Sequence, residues 1–306
     1  MEELFFQTDT CDAKLVSADH KEFKIHKAVA AIASEEFRLH FFHKHPGSTY
    51  YKTNCKSDAL LQIVNFMYCG WRGMSPSSLK KFCRLHQGSN SDAIDDWVDT
   101  ITETYRAAKQ LRMFPLCRSI LIWFYEFLKL ENSQVETIVK MTYEKSKNHG
   151  ALADLEKLSY YFHWFFLKDN EKTCDTNTAI EVEPEPKIFK DKVALLLLGA
   201  PDENINGLYQ LCHCTNGKSN VSTYRQQNGN HIFEENFNSE KSNDQPDIGF
   251  LCCESEKGKN RKQVNVCKWN SESNYPIWTN DSYNGVTNNP AILRFKCLER
   301  VESNFL

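Results

Sequence analysis

Phe23-Lys-Ile-His26-Lys-Ala-Val-Ala-Ala-Ile-Ala-Ser34 changes from strand chemistry to helix chemistry within a dozen positions. Phe23 and Ile25 alternate with Lys24 and His26, the period of a strand with one buried face. From Lys27 the run of Ala, Val and Ile predicts a short helix that ends at Ala33. Ser34 followed by Glu35-Glu36 then offers a side-chain cap and negative charge to a second helix start, which carries Phe37, Phe41 and Phe42. Upstream, Ala13-Lys-Leu-Val-Ser17 alternates in the same way, and the polar turn Ala18-Asp-His-Lys21 joins it to Glu22-Phe-Lys-Ile-His26 as a hairpin.

Downstream, Asp58 to Cys69 places Leu60, Leu61, Val64, Met67 and Tyr68 at helical spacing and is closed by Gly70, the residue type expected at a helix end. A polar, Ser-rich excursion runs from Trp71 to Asp96. Val98, Ile101, Tyr105 and Ala108 then make one amphipathic face, and Leu116, Ile120, Trp123, Phe124 and Phe127 make another, with Pro115 between them. Two further helices are expected. Ser133 to Ser146 opens on a capping box of Ser133 and Glu136, and a second helix runs from Ala151 to Leu167. This half is a helix-rich α+β domain.

Four ordered blocks resemble the BTB/POZ family. Cys11-Asp-Ala-Lys-Leu-Val16 with Phe23 to Ser34 is similar to its opening, an Asp before a strand and Phe-x-x-His-(Lys/Arg) leading into a helix that ends in Ser. Leu60-Leu61-Gln-Ile-Val-Asn-Phe66-Met-Tyr68-Cys-Gly70 resembles its Leu-Leu-x-Phe-(Leu/Met)-Tyr-(Thr/Ser)-Gly helix. Tyr105-Arg-Ala-Ala-Lys-Gln-Leu111 and Leu116-Cys-Arg resemble its later helical pair. The resemblance covers about residues 9 to 128, and the helices beyond resemble the extension that follows fungal-type BTB domains.

The resemblance implies a protein-interaction module without catalytic chemistry, usually a homodimer. Leu4, Phe5 and Phe6, apolar residues ahead of the first strand, suit packing against a second subunit or on their own domain. Asp12 and Lys27 stand where the family places a charged pair near the dimer groove; a turn-capping Asp and a solvated Lys are the alternative. Many relatives bridge a substrate to a cullin-type ubiquitin ligase through an apolar-x-Glu contact after the second helix. Here Phe41, Phe42, His43 and His45 are the candidate partner-binding residues, with a His in place of the acid. His26 has a structural role in the family. His40, His43 and His45 lie on a helix-to-loop transition whose spacing suits a metal poorly, so no metal ligands and no cofactor are expected.

Composition changes once along the chain. Residues 1 to 168 contain five Asn, whereas residues 192 to 306 contain 18 together with most of the Asn-Gly and Asn-Pro turn signals. Between them an acidic, proline-bearing stretch with Glu181-Val-Glu-Pro-Glu-Pro186 reads as a linker. The expected organisation is a BTB/POZ-like domain over 1–128 with an insertion at about 71–96, a helical extension over 129–168, a linker over 169–191 and a β-rich domain over 192–306. In that last part, short β-type runs at 193–198, 208–213, 247–252, 263–269, 275–278 and 291–298 predict a sandwich or small barrel. Cys212-His-Cys214, His231, Cys252-Cys253, Cys267 and Cys297 read as core thiols, with zinc as the alternative. Metal binding or enzymatic chemistry in this half is the competing functional class, and a protein partner for it is unknown.

With 37 Lys+Arg against 40 Asp+Glu, the formal net charge is -3. No whole-molecule field draws the chain to nucleic acid or an anionic membrane. The start lacks signal-peptide features and Val193 to Leu198 is too short to span a bilayer, so the expected location is cytoplasmic or nuclear. The 12 cysteines are then read as free thiols. No Walker loop, Gly-x-Ser-x-Gly, His-Glu-x-x-His or kinase signature is present, so no enzyme is expected.

Overall fold

The computed structural model describes residues 8–69, 91–129, 135–163, 194–199, 205–214, 221–226, 231–236, 248–254, 261–269, 276–279 and 291–295. The chain divides into two compact units, Met1–Ser159 and Tyr160–Leu306.

The first unit opens with the expected hairpin. β1 (Ala13–Val16) pairs antiparallel with β2 (Glu22–Ile25), Ala13 opposite Ile25 and Val16 opposite Glu22. Ser17 closes the turn, its hydroxyl accepting the Lys21 N–H at 3.0 Å, while His20 takes up φ 64°. A third strand, β3 (Tyr50–Lys52), adds parallel to the other edge of β1, Leu15 opposite Tyr51. Leu15 and Ile25 face inward and are fully buried.

α1 (Lys27–Ala33) leaves β2 directly, and α2 (Glu35–Arg38) follows after Ser34. The Ser34 hydroxyl accepts the Phe37 N–H at 3.1 Å, as its position predicted. It also donates to the Leu111 carbonyl at 2.6 Å, a link spanning 77 positions. α2 runs into a wider π turn, Leu39–Lys44. α3 (Ser57–Cys69) is capped from a distance. Lys56 N–H donates to Glu103 Oε1 and Ser57 N–H to Asp19 Oδ1, each at 2.8 Å. Two carboxylates remote in sequence thus satisfy amides that a helix start leaves without intrahelical partners.

α4 (Ser91–Gln110), α5 (Phe114–Leu128), α6 (Val135–Ser146) and α7 (Ala153–Phe162) complete this half. α4 begins at Ser91, inside the stretch expected as an insertion at about 71–96; residues 70–90 lie outside the described ones, as do Ser133 of the capping box and residues 164–167 of the last expected helix. α5 is buried nearly all round, Leu116, Leu121, Phe124 and Phe127 among its core residues, with Pro115 in its first turn. Trp97 of α4 meets Phe127 of α5 at 4.8 Å, and Trp123 stacks on Phe127 at 5.9 Å. Among the described residues no helix is long and apolar enough to cross a membrane.

Among the described residues the second unit holds one eight-stranded antiparallel sheet. Its strands are β4 (Ala194–Leu198), β5 (Gly207–Cys214), β6 (Val221–Gln226), β7 (His231–Asn236), β8 (Ile248–Glu254), β9 (Arg261–Trp269), β10 (Pro276–Thr279) and β11 (Ala291–Phe295). The order is β10-β9-β8-β7-β6-β5-β4-β11, a meander whose last strand returns to pair with its first. It is a separate, curled half-barrel sheet rather than a two-sheet sandwich. All five residues of β4 are buried, and Tyr224 faces Phe233 across β6 and β7 with ring centroids 6.4 Å apart. Gly207 opens β5 at φ +146°, with the Gln226 side chain 3.4 Å from where a Cβ would stand.

Candidate interaction surface

α1 begins where two side chains from elsewhere take its first amides. Asp12 Oδ1 accepts the Lys27 N–H at 2.8 Å, and the Tyr68 hydroxyl accepts the His26 N–H at 2.8 Å. His26 Nδ1 lies 2.8 Å from the same hydroxyl, and its Nε2 lies 2.8 Å from Thr10 Oγ1. His26 thereby ties the strand-to-helix junction to α3, a structural role that matches the sequence expectation. Burial holds the Tyr68 phenol above its ordinary pKa, so it stays a neutral hydroxyl near neutral pH.

The Asp12 carboxylate is therefore occupied by a helix start, and the Lys27 ammonium lies over the Phe41 ring, 5.8 Å from its centroid. Within the domain the two residues cap and cover. Leu4, Phe5 and Phe6 lie outside the described residues.

α1 carries an outward apolar position that the sequence reading did not single out. Ile32 is 79% exposed, and Ala28, one turn earlier, is exposed as well. Val29 and Ala30 turn into the core. The signal was present as a helix apolar on more than one face, which a surface helix without a partner does not need.

The candidate partner-binding group divides. Phe41 is 1% exposed and packs with Phe37 at 6.4 Å and Tyr51 at 6.5 Å, so it is a core residue and offers nothing to a partner. Phe42, its neighbour, is 49% exposed, and His43 and His45 are exposed beside it. A helical turn cannot bury consecutive residues on one face, and β3 supplies Tyr51 as the partner that selects Phe41.

In the second unit the sheet register bears on the cysteine expectations. β5 carries one residue more than β6 between Leu211 and His213, and Cys212 is that extra residue. Cys252 stands opposite Ile232 and Cys253 opposite His231. Cys297 lies outside the described residues. Among the described residues no three His, Cys, Asp or Glu side chains converge as a metal set.

The first unit thus combines a three-stranded sheet, helices capped by remote carboxylates and an outward apolar helix position. Residues 1–88 match the family model of the BTB/POZ domain, and the chain carries such a domain there. The C-terminal half has no family match. No curated protein matches the chain.

Proposed function

We propose that this chain works as a self-associating protein-interaction protein, in which the BTB/POZ domain pairs with a second copy through the outer face of α1. The observation that carries this reading is Ile32, 79% exposed on a helix whose opposite side is core. Paired across a two-fold axis, one such face meets its own copy, and burying an isoleucine contributes roughly 1.5–3 kcal/mol. Leu4, Phe5 and Phe6 extend that surface in the proposal. BTB domains as a class mediate self-association, which supports the same assignment.

Sedimentation equilibrium of the full chain tests it. Twice the 35.6 kDa chain mass is expected, and Ile32→Asp is expected to yield monomer with unchanged circular dichroism. A monomeric wild type, or a dimer indifferent to Ile32→Asp, overturns the α1 interface.

A second partner is supported by Phe42, 49% exposed at the end of the π turn, and by a helical extension packed against α4. We assign to this side recruitment of a cullin-type scaffold, with the chain acting as substrate adaptor in the cytoplasm or nucleus and the β-rich region over 192–306 presenting the substrate-facing surface. In this organisation 1–128 is the interaction domain, 129–168 the extension and 169–191 the linker. Pull-down with a cullin amino-terminal domain is expected to succeed and to weaken at least tenfold in Phe42→Ala. Absence of binding at micromolar concentration leaves a homodimeric scaffold.

A further inference from the structure

The π turn Leu39–Lys44 brings two histidines together that an α-turn would separate. His45 N–H donates to the His40 carbonyl at 2.8 Å, an i to i+5 bond. In an α-helix, residues five apart diverge by about 140° around the axis. The wider turn carries His45 back over His40, so that the imidazole centroids are 4.9 Å apart with planes tilted by 54°. Single π turns of this kind recur at functional sites.

His40 is the anchored member of the pair. Its ring meets Phe41 edge-on at 4.9 Å and Tyr51 at 4.8 Å. Its Nε2 lies 3.2 Å from the Tyr50 carbonyl oxygen. A carbonyl only accepts, so Nε2 carries the proton and Nδ1 keeps its lone pair. Metal-binding imidazoles are oriented in this way, one ring nitrogen donating to a carbonyl while the other ligates. His45 is exposed, and both rings line an open cavity of about 680 Å³ with Ser48, Tyr50, Tyr51 and Lys52.

Zinc–nitrogen bonds of about 2.0–2.1 Å and tetrahedral angles place the centroids of two ligating imidazoles about 5 Å apart. The observed spacing meets that value. We propose that His40 Nδ1 and the His45 ring form a two-imidazole site for a borderline divalent cation of the zinc class, its remaining positions filled by water. Such cations prefer imidazole over hard oxygen cages. No third protein ligand converges there among the described residues, and the Lys52 ammonium lines the same cavity, so the site is weak and exchangeable rather than structural. Binding would hold the π turn to β3 through His40.

Titration of the full chain with Co²⁺, read by visible absorption, tests the site. Ligand-field bands are expected to grow to saturation. The difference spectrum between wild type and His45→Ala should carry these bands without a sulfur-to-cobalt charge-transfer band, which separates the site from the chain's cysteines. His45→Ala and His40→Gln are each expected to weaken this binding tenfold or more, with His43→Ala unchanged. His45 is exposed, so its variant should fold normally by near-ultraviolet circular dichroism even where His40→Gln loosens the turn. A wild type without saturable bands, or a His45→Ala titration identical to wild type, overturns the proposal.

Discussion

The Tyr105 hydroxyl donates a 2.6 Å hydrogen bond to Asp154 Oδ2, and that same oxygen sits 3.0 Å from Lys109 Nζ. Tyr105 and Lys109 stand one turn apart on α4, so one face of that helix grips a buried carboxylate from α7. Tyr105 is fully buried, and its phenol is held well above the ordinary range by burial and then by the Asp154 charge. This is a polar fastening between α4 and α7 within the first unit. Asp154→Ala leaves the hydroxyl and the ammonium without their acceptor and is expected to cost about 2–4 kcal/mol, the range for breaking a buried pair reduced for Lys109's partial access to water. Tyr105→Phe removes one hydrogen bond and should cost about 1–2 kcal/mol. Hydrogen exchange in α4 and α7 checks both; unchanged protection in Asp154→Ala would refute the fastening.

Alkaline pH should weaken the first unit. Burial pushes the Cys117 thiol from its ordinary 9.0 up to about 12, and Tyr105 is raised as well. Above pH 9 the unfolded chain releases protons that the folded chain retains, so the unfolded state binds fewer protons and stability falls as pH rises. The slope per group is at most about 1.4 kcal/mol per pH unit. Urea midpoints should drop between pH 8 and pH 10, and Cys117→Ala should flatten that dependence whatever its own effect on stability.

Acid acts at another point. Hydrogen bonds from the Ser57 and Ser17 side chains hold Asp19 at about 2, below its ordinary 3.8. A lowered carboxylate stabilises above its unfolded value, so this contribution is lost as pH falls from about 4 through 2. The first turn of α3 should then fray, seen as faster amide exchange near Ser57. Asp19→Ala, which removes the acceptor of the Ser57 N–H, should show the same fraying at neutral pH; protection equal to wild type would remove Asp19 as the cap.

Ser34→Ala deletes both the cap on Phe37 and the donor to Leu111 at a buried position. The expected loss is about 1–2 kcal/mol, measured by thermal or urea unfolding. Ser34→Thr, which retains the hydroxyl, should recover part of it.

Adjacent phenylalanines should behave oppositely. Phe41→Ala opens a cavity against Phe37 and Tyr51 and is expected to cost about 3–5 kcal/mol, whereas Phe42→Ala should fall within about 0.5 kcal/mol. Comparable losses in the two variants would contradict the division between core and surface.

Some of this was legible in the chain because local chemistry suffices for it. The alternation of Phe23 and Ile25, the cap at Ser34 and the stripe through Leu60, Val64 and Met67 each state an element within one or two turns. β3 was not legible, since three residues of Tyr-Tyr-Lys carry no period and become a strand only beside β1. β6 and β7 were also missed, their Thr, Arg, Gln and Glu content masking the alternation. Asn228-Gly229 between them was a hairpin signal in plain sight. At the candidate surface, His26 was placed correctly from its motif. Phe41 was not, because adjacent phenylalanines look alike until a neighbouring strand selects one of them. Ile32 passed as an ordinary helix residue because exposure is a property of what packs nearby.

By itself the sequence determined where the hairpin and the helices of the first unit lie, that the chain carries a BTB/POZ-type opening, and that its Asn-rich second half is built of strands. Those follow from side-chain period, turn chemistry and capping, all acting over fewer than about ten residues. Only the tertiary structure decided which amides Asp12, Asp19 and Glu103 cap, that Asp154 reaches Tyr105, and that a π turn brings the His45 ring beside that of His40. These contacts join residues separated by a few to dozens of positions, and they form because burial of the surrounding apolar surface forces each polar group to find its partner wherever the fold brings one.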